Sequence, residues 1–219
     1  MPAPGSAAPS AGFSDAKIRA SGTPPVALAY LGQGSCTGPA AILDATPLSG
    51  TFKYWDRLGA EQSCTVPATA PVLADIGASD VFATTCRKLP GGLPSNVGDF
   101  LGPVQPMTFV VPKASSEVAI SAEAAYYIYG FGADSGAEPW TLESAIFQRD
   151  ANSGTQRMVA AAIGVEADRW RGTPTTGSDD MKTKVSTSIM PASAVGILST
   201  DVAQENRAIL NVLAYQHFD

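Results

Sequence analysis

Three short segments carry residue types at spacings suited to holding an anion. In Arg149-Asp-Ala-Asn-Ser-Gly-Thr155, a guanidinium lies four residues ahead of Ser153, and Ser153-Gly154-Thr155 opens an alanine-rich stretch. The planar fork of an arginine grips two oxygens of a tetrahedral oxyanion. Hydroxyls and consecutive backbone N–H groups at the positive end of a helix hold negative charge. The same residues also permit a plainer arrangement, in which Arg149 pairs with Asp150 on the surface and Ser153 or Thr155 only caps the helix.

The second segment, Gly32-Gln-Gly-Ser-Cys-Thr-Gly38, is expected to join a strand to a helix. It is one residue longer than the G-x-G-x-x-G fingerprint and is followed by no Walker lysine, so neither nucleotide motif is met. It does supply Ser35, a hydroxyl donor where backbone N–H groups converge. The alternative is a glycine turn that packs helix against strand. The third segment, Asp75-Ile-Gly-Ala-Ser-Asp80, places Asp80 beyond the carboxyl end of an expected strand, where open α/β sheets bind ligands. A carboxylate repels a fully ionised anion such as sulfate, yet it accepts a hydrogen bond from the P–OH of protonated phosphate. Asp80 could therefore select between the two. Its plainer role is to cap a helix beginning at Val81.

The elements that must position these segments follow from hydrophobic patterning. Apolar runs predict buried strands over 26–31 and 71–77, with a helix start at Pro39-Ala-Ala-Ile-Leu43 between them. Residues 45–70 read as irregular with short strands, a short helix opens near Val81 and Phe82, and the proline- and glycine-rich stretch 88–106 reads as a loop. Further strands are expected over 107–112, 143–148 and 193–198. Helices are expected over 121–130, with a serine cap and a glycine stop, over 156–163, ended by Gly164, and over 179–185 and 204–215. The alternation makes the chain α/β.

Composition narrows the function. The 219 residues carry 14 Lys and Arg against 20 Asp and Glu, a net charge of −6, so no basic face exists for nucleic acid. No apolar run reaches the ~18 residues that span a bilayer. The single histidine, His217, excludes multi-histidine metal sites and argues against a histidine-based catalytic dyad. With no G-x-S-x-G elbow either, the chain reads as a non-enzyme that needs no cofactor. Cys36, Cys64 and Cys86 lack C-x-x-C spacing, and a disulfide is expected, with Cys64 to Cys86 the favoured pair. Low lysine content and widely spaced cysteines fit a secreted chain. The amino terminus has no charged n-region or apolar h-region, so it reads as a flexible leader over 1–16 rather than a signal peptide.

Together the three segments resemble the phosphate-binding proteins of bacterial ABC transporters. The family's Gly-x-Gly-Ser is similar to Gly32-Gln-Gly-Ser35, its Asp-Phe-Gly-Ala-Ser-Asp to Asp75-Ile-Gly-Ala-Ser-Asp80, and its Arg-x-Asp-Gly-Ser-Gly-Thr to Arg149-Asp-Ala-Asn-Ser-Gly-Thr155, in the same order. The resemblance implies a two-lobed, type II periplasmic-binding-protein-like fold. Lobe 1 would cover 17–106, lobe 2 107–198, and a return segment 199–219. It implies inorganic phosphate in the inter-lobe cleft, with Ser35, Asp80, Arg149, Ser153, Gly154 and Thr155 as ligands, an ABC permease as partner, and a periplasmic or extracellular location.

The chain departs from the family's pattern in three places. Too few residues separate Ser21-Gly-Thr23 from Ser35 for the family's first helix, the motif aspartate is shifted to Asp150 with Asn152 in place of a glycine, and the sequence stops at Asp219. The first lobe is thus expected to be incomplete, finished by another chain or an absent segment. The alternative function is a secreted structural or assembly domain of this fold that binds no phosphate or another oxyanion.

Overall fold

The computed structural model describes residues 31, 34–55, 59–102 and 105–218. The leader expected over 1–16, all but the last residue of the strand expected over 26–31, and Gly32 lie outside them. The chain divides into two units, Met1–Gly77 and Ala78–Asp219.

In the first unit, helix α1 (Thr37–Leu43) forms where the sequence places Pro39, which falls in the first turn and so removes no intrahelical hydrogen bond. Strands β1 (Gly50–Trp55) and β2 (Glu61–Val66) pair antiparallel in the register Phe52↔Cys64, within the stretch expected to hold short strands. The strand expected over 71–77 does not form. Among the described residues only Val72 pairs, exchanging hydrogen bonds of 2.9 and 2.7 Å with Leu48, while Leu73 and Ile76 are 61% and 70% exposed. An apolar run becomes a strand only where a neighbour takes up its backbone donors and acceptors, and past Val72 none among the described residues does. Gly77 instead lies against α1, where a Cβ would collide with the carbonyl oxygen of Gly38.

The second unit is a mixed α/β structure. It begins with the short helix α2 (Ala83–Cys86), whose N-cap is Phe82. The expected loop over 88–106 carries no regular element among its described residues. Strand β3 (Met107–Pro112) is the centre of a three-stranded sheet, flanked by β7 (Gly196–Ser199) and β8 (Leu210–Val212), both antiparallel to it. Strand β4 (Ala119–Ser121) pairs parallel with β9 (Ala214–Gln216). Strand β5 (Phe147–Gln148) pairs parallel with β6 (Thr173–Pro174), and Ile146 bridges Val195 just ahead of β7. The helices are α3 (Ala122–Phe131), α4 (Gly154–Ile163), α5 (Ser178–Ser186) and α6 (Thr200–Glu205). Fully buried Val110 and Val111 of β3, Ile128 and Tyr129 of α3, Ile163 of α4 and Met181 of α5 belong to one core.

Most helix boundaries follow local signals. The Ser121 hydroxyl accepts the Ala124 N–H at 3.1 Å and starts α3, which runs on through Gly130 to stop at Gly132. Helix α4 ends at Gly164, in the left-handed conformation. The helix expected over 204–215 is corrected: α6 ends at Glu205, a turn follows over 206–209, and then come β8 and β9. The Asn206 carbonyl accepts the N–H groups of Ile209 and Leu210, both at 3.0 Å, which turns the chain so that Leu210–Val212 reaches the edge of β3. Pairing with a distant strand outweighs local helical preference here. The strand expected over 143–148 shortens to β5, preceded by a 3-10 turn over Glu143–Ala145.

The favoured cysteine pairing is also corrected. Cys36 and Cys86 are the disulfide-bonded cysteines, and Cys64 is an exposed free thiol in the β1–β2 ladder. No helix among the described residues is long and apolar enough to cross a membrane.

Candidate functional site

Strand β5 delivers the chain to Arg149, and the turn after it starts α4. The strand is held from below by the core. The buried Tyr129 hydroxyl donates to the Phe147 carbonyl at 3.4 Å, its ring lies 4.0 Å from that of Trp170, and burial pushes its pKa far up. In the turn, Asp150 Oδ1 accepts the Asn152 N–H at 2.9 Å and the Asp150 carbonyl accepts the Ser153 N–H at 3.0 Å. This aims the chain into the helix with Ser153 as N-cap, its Oγ accepting the Gln156 N–H at 3.4 Å. Arg157 Nε closes the turn by donating to the Ala151 carbonyl at 2.5 Å.

Two backbone donors remain. The N–H groups of Gly154 and Thr155, in the first turn of α4, meet no partner among the described residues. Ser153, Gly154 and Thr155 are all buried.

Arg149 is half-buried. Its Nη1 donates to Ser178 Oγ at 3.1 Å, and its Nε is buried with no partner. Burial lowers the pKa of the guanidinium, while the negative charges of Asp150 and then Asp80 act in the opposite direction. No carboxylate among the described residues forms an ion pair with it. The result is a cation with spare donors, electrostatically supported but not neutralised.

Of the residues singled out in the sequence, Arg149, Ser153, Gly154 and Thr155 lie on one strand–turn–helix segment. Asp80 is exposed in the second unit and acts electrostatically on Arg149. It does not cap a helix: the hydroxyl of Ser79 takes the Val81 N–H at 3.1 Å, and α2 begins only after Phe82. Ser35 belongs to the first unit, in the turn before α1. Ser178 was not legible as a partner of Arg149. Gly177-Ser-Asp-Asp180 marks a helix start, but nothing in the sequence ties that start to a residue 29 positions earlier. No group of three or more His, Cys, Asp or Glu among the described residues is placed to hold a metal ion.

No protein-family model matches the chain. No curated protein matches it either. Among solved structures, it is similar to a possible phosphate binding protein from Planctomyces limnophilus DSM 3776, with a TM-score of 0.43 and 16% identity over 52% of this chain and 42% of that one. It is also similar to an ABC-type phosphate transport receptor from Vibrio cholerae, with a TM-score of 0.39 and 20% identity over 51% of this chain and 46% of that one. The chain thus spans less than half the length of each of these structures.

Proposed function

We propose that the chain is an extracytoplasmic solute-binding protein that binds inorganic phosphate for uptake through an ABC permease. The observation that carries this reading is the state of Arg149. Its charge is half-buried and, among the described residues, its Nε has no partner, no carboxylate pairs with it, and the N–H groups of Gly154 and Thr155 on the segment it begins are unpaired. Such a set needs an anion to complete it. The resemblance of the three loops to phosphate-binding proteins supplies the identity of that anion.

In this account Arg149, Ser153, Gly154 and Thr155 donate to phosphate oxygens, and Asp80 accepts a hydrogen bond from the P–OH that phosphate carries and sulfate lacks. The protein binds and releases, with no bond made or broken. Calorimetric titration with phosphate and sulfate tests it. Phosphate should bind and sulfate should not, and Asp80→Ala should narrow the difference. Equal affinities in the unaltered chain would remove the role given to Asp80.

One observation favours a second reading, an assembly domain completed by another chain. Leu73 and Ile76, in a stretch with the pattern of a buried strand, are largely exposed. Light scattering separates the two, since a monodisperse monomer that binds phosphate contradicts the assembly reading.

A further inference from the structure

We propose that Ser178 is a positioning residue for the oxyanion site, pinning the Arg149 guanidinium through a neutral hydroxyl where a carboxylate would cancel its charge. The inference rests on the phosphate-binding reading above. Arg149 has a long side chain with several rotatable bonds, and an arginine that must present a fork in one orientation gains from a fixed second contact. That contact is the 3.1 Å bond from Nη1 to Ser178 Oγ.

The anchor is rigid. Ser178 is the first residue of α5, whose Met181 and Val185 are fully buried. Helix α5 is pressed so closely on β7 that a Cβ at Gly196 would collide with Met181 Sδ and Val185 Cγ2. Movement of Ser178 would therefore disturb the core.

The carboxylates nearest in sequence are occupied elsewhere. Asp150 holds the Asn152 N–H, Asp179 pairs with Lys182 at 2.8 Å, and Asp180 pairs with Lys184 at 3.0 Å while accepting the Thr176 N–H at 2.9 Å. The hydroxyl of Ser178 holds the guanidinium at 3.1 Å without adding a negative charge beside it. A serine oxygen that accepts from Arg149 also keeps its own O–H free to donate.

The test uses inorganic phosphate and three substitutions in the full chain. Ser178→Ala should weaken phosphate binding about tenfold, the loss of one hydrogen bond to a charged group. Ser178→Thr, which keeps the hydroxyl, should restore affinity to within about threefold of the unaltered chain, a recovery that a general packing defect would not allow. Ser178→Asp should hold the guanidinium but neutralise it, so binding should stay weak. Side-chain nitrogen NMR of Arg149 provides a readout independent of phosphate: hindered rotation of its Nη groups in the unaltered chain should be lost in Ser178→Ala and kept in Ser178→Thr. Unchanged affinity in Ser178→Ala, or Arg149 signals that ignore the substitution, would overturn the proposal. If the unaltered chain binds no phosphate, the functional reading fails, and the Arg149 signals alone decide whether Ser178 positions it.

Discussion

Asp150 Oδ1 accepts the backbone N–H of Asn152 at 2.9 Å and makes no ion pair with Arg149, its neighbour in sequence. The carboxylate shapes the turn and contributes only its field to the guanidinium. Asp150→Asn keeps an acceptor oxygen for the turn and removes one negative charge beside the proposed anion site. Phosphate should then bind about two- to threefold more tightly at low salt, with the gain vanishing near 1 M, where screening shortens to about 3 Å. Titrations at the two ionic strengths check this.

The lowered pKa of Arg149 has a consequence for stability. Burial disfavours the charged form in the folded chain, so the unfolded chain binds the proton more tightly and stability rises with pH only in the alkaline range, below the ordinary arginine value. At neutral pH the half-buried cation is therefore a small cost when no anion is bound. Arg149→Met should raise the ligand-free melting temperature by about 2 °C while abolishing the stabilisation that phosphate gives. Thermal melts with and without phosphate measure both.

Ser153 caps the helix and, in the proposed reading, also donates to phosphate. Ser153→Ala should cost about 1 kcal/mol, a drop of roughly 3 °C in melting temperature, because the Gln156 N–H loses its acceptor in a buried position. Phosphate binding should weaken as well. Ser153→Asp should recover the cap but not the binding, since its carboxylate meets the anion.

The cysteines make a simple count. With Cys36 and Cys86 disulfide-bonded and Cys64 free and exposed, one thiol per chain should react with a thiol reagent in the native protein, and three after reduction and unfolding. Two or three reactive thiols in the native, unreduced chain would contradict the assignment.

What the sequence made legible was local. The cap at Ser153, the alanine-rich face and the stop at Gly164 lie within one short segment, so α4 and the residues it presents could be read directly. Stretches whose state depends on a distant neighbour could not. Residues 71–77 have a strand's composition, but among the described residues only Val72 finds a pairing partner. Leu210–Val212 looked helical because the sequence does not reveal that β3 offers it an edge about a hundred residues away. The site divides along the same line. Arg149, Ser153, Gly154 and Thr155 were visible as one motif, whereas the contact of Arg149 with Ser178 is made by the packing of α5 on β7.

The most direct test is calorimetric titration of the intact, folded chain with inorganic phosphate and with sulfate at matched ionic strength. The account predicts saturable binding of one phosphate per chain, no heat with sulfate, and no phosphate binding in Arg149→Met. A folded chain that gives no phosphate binding would contradict it.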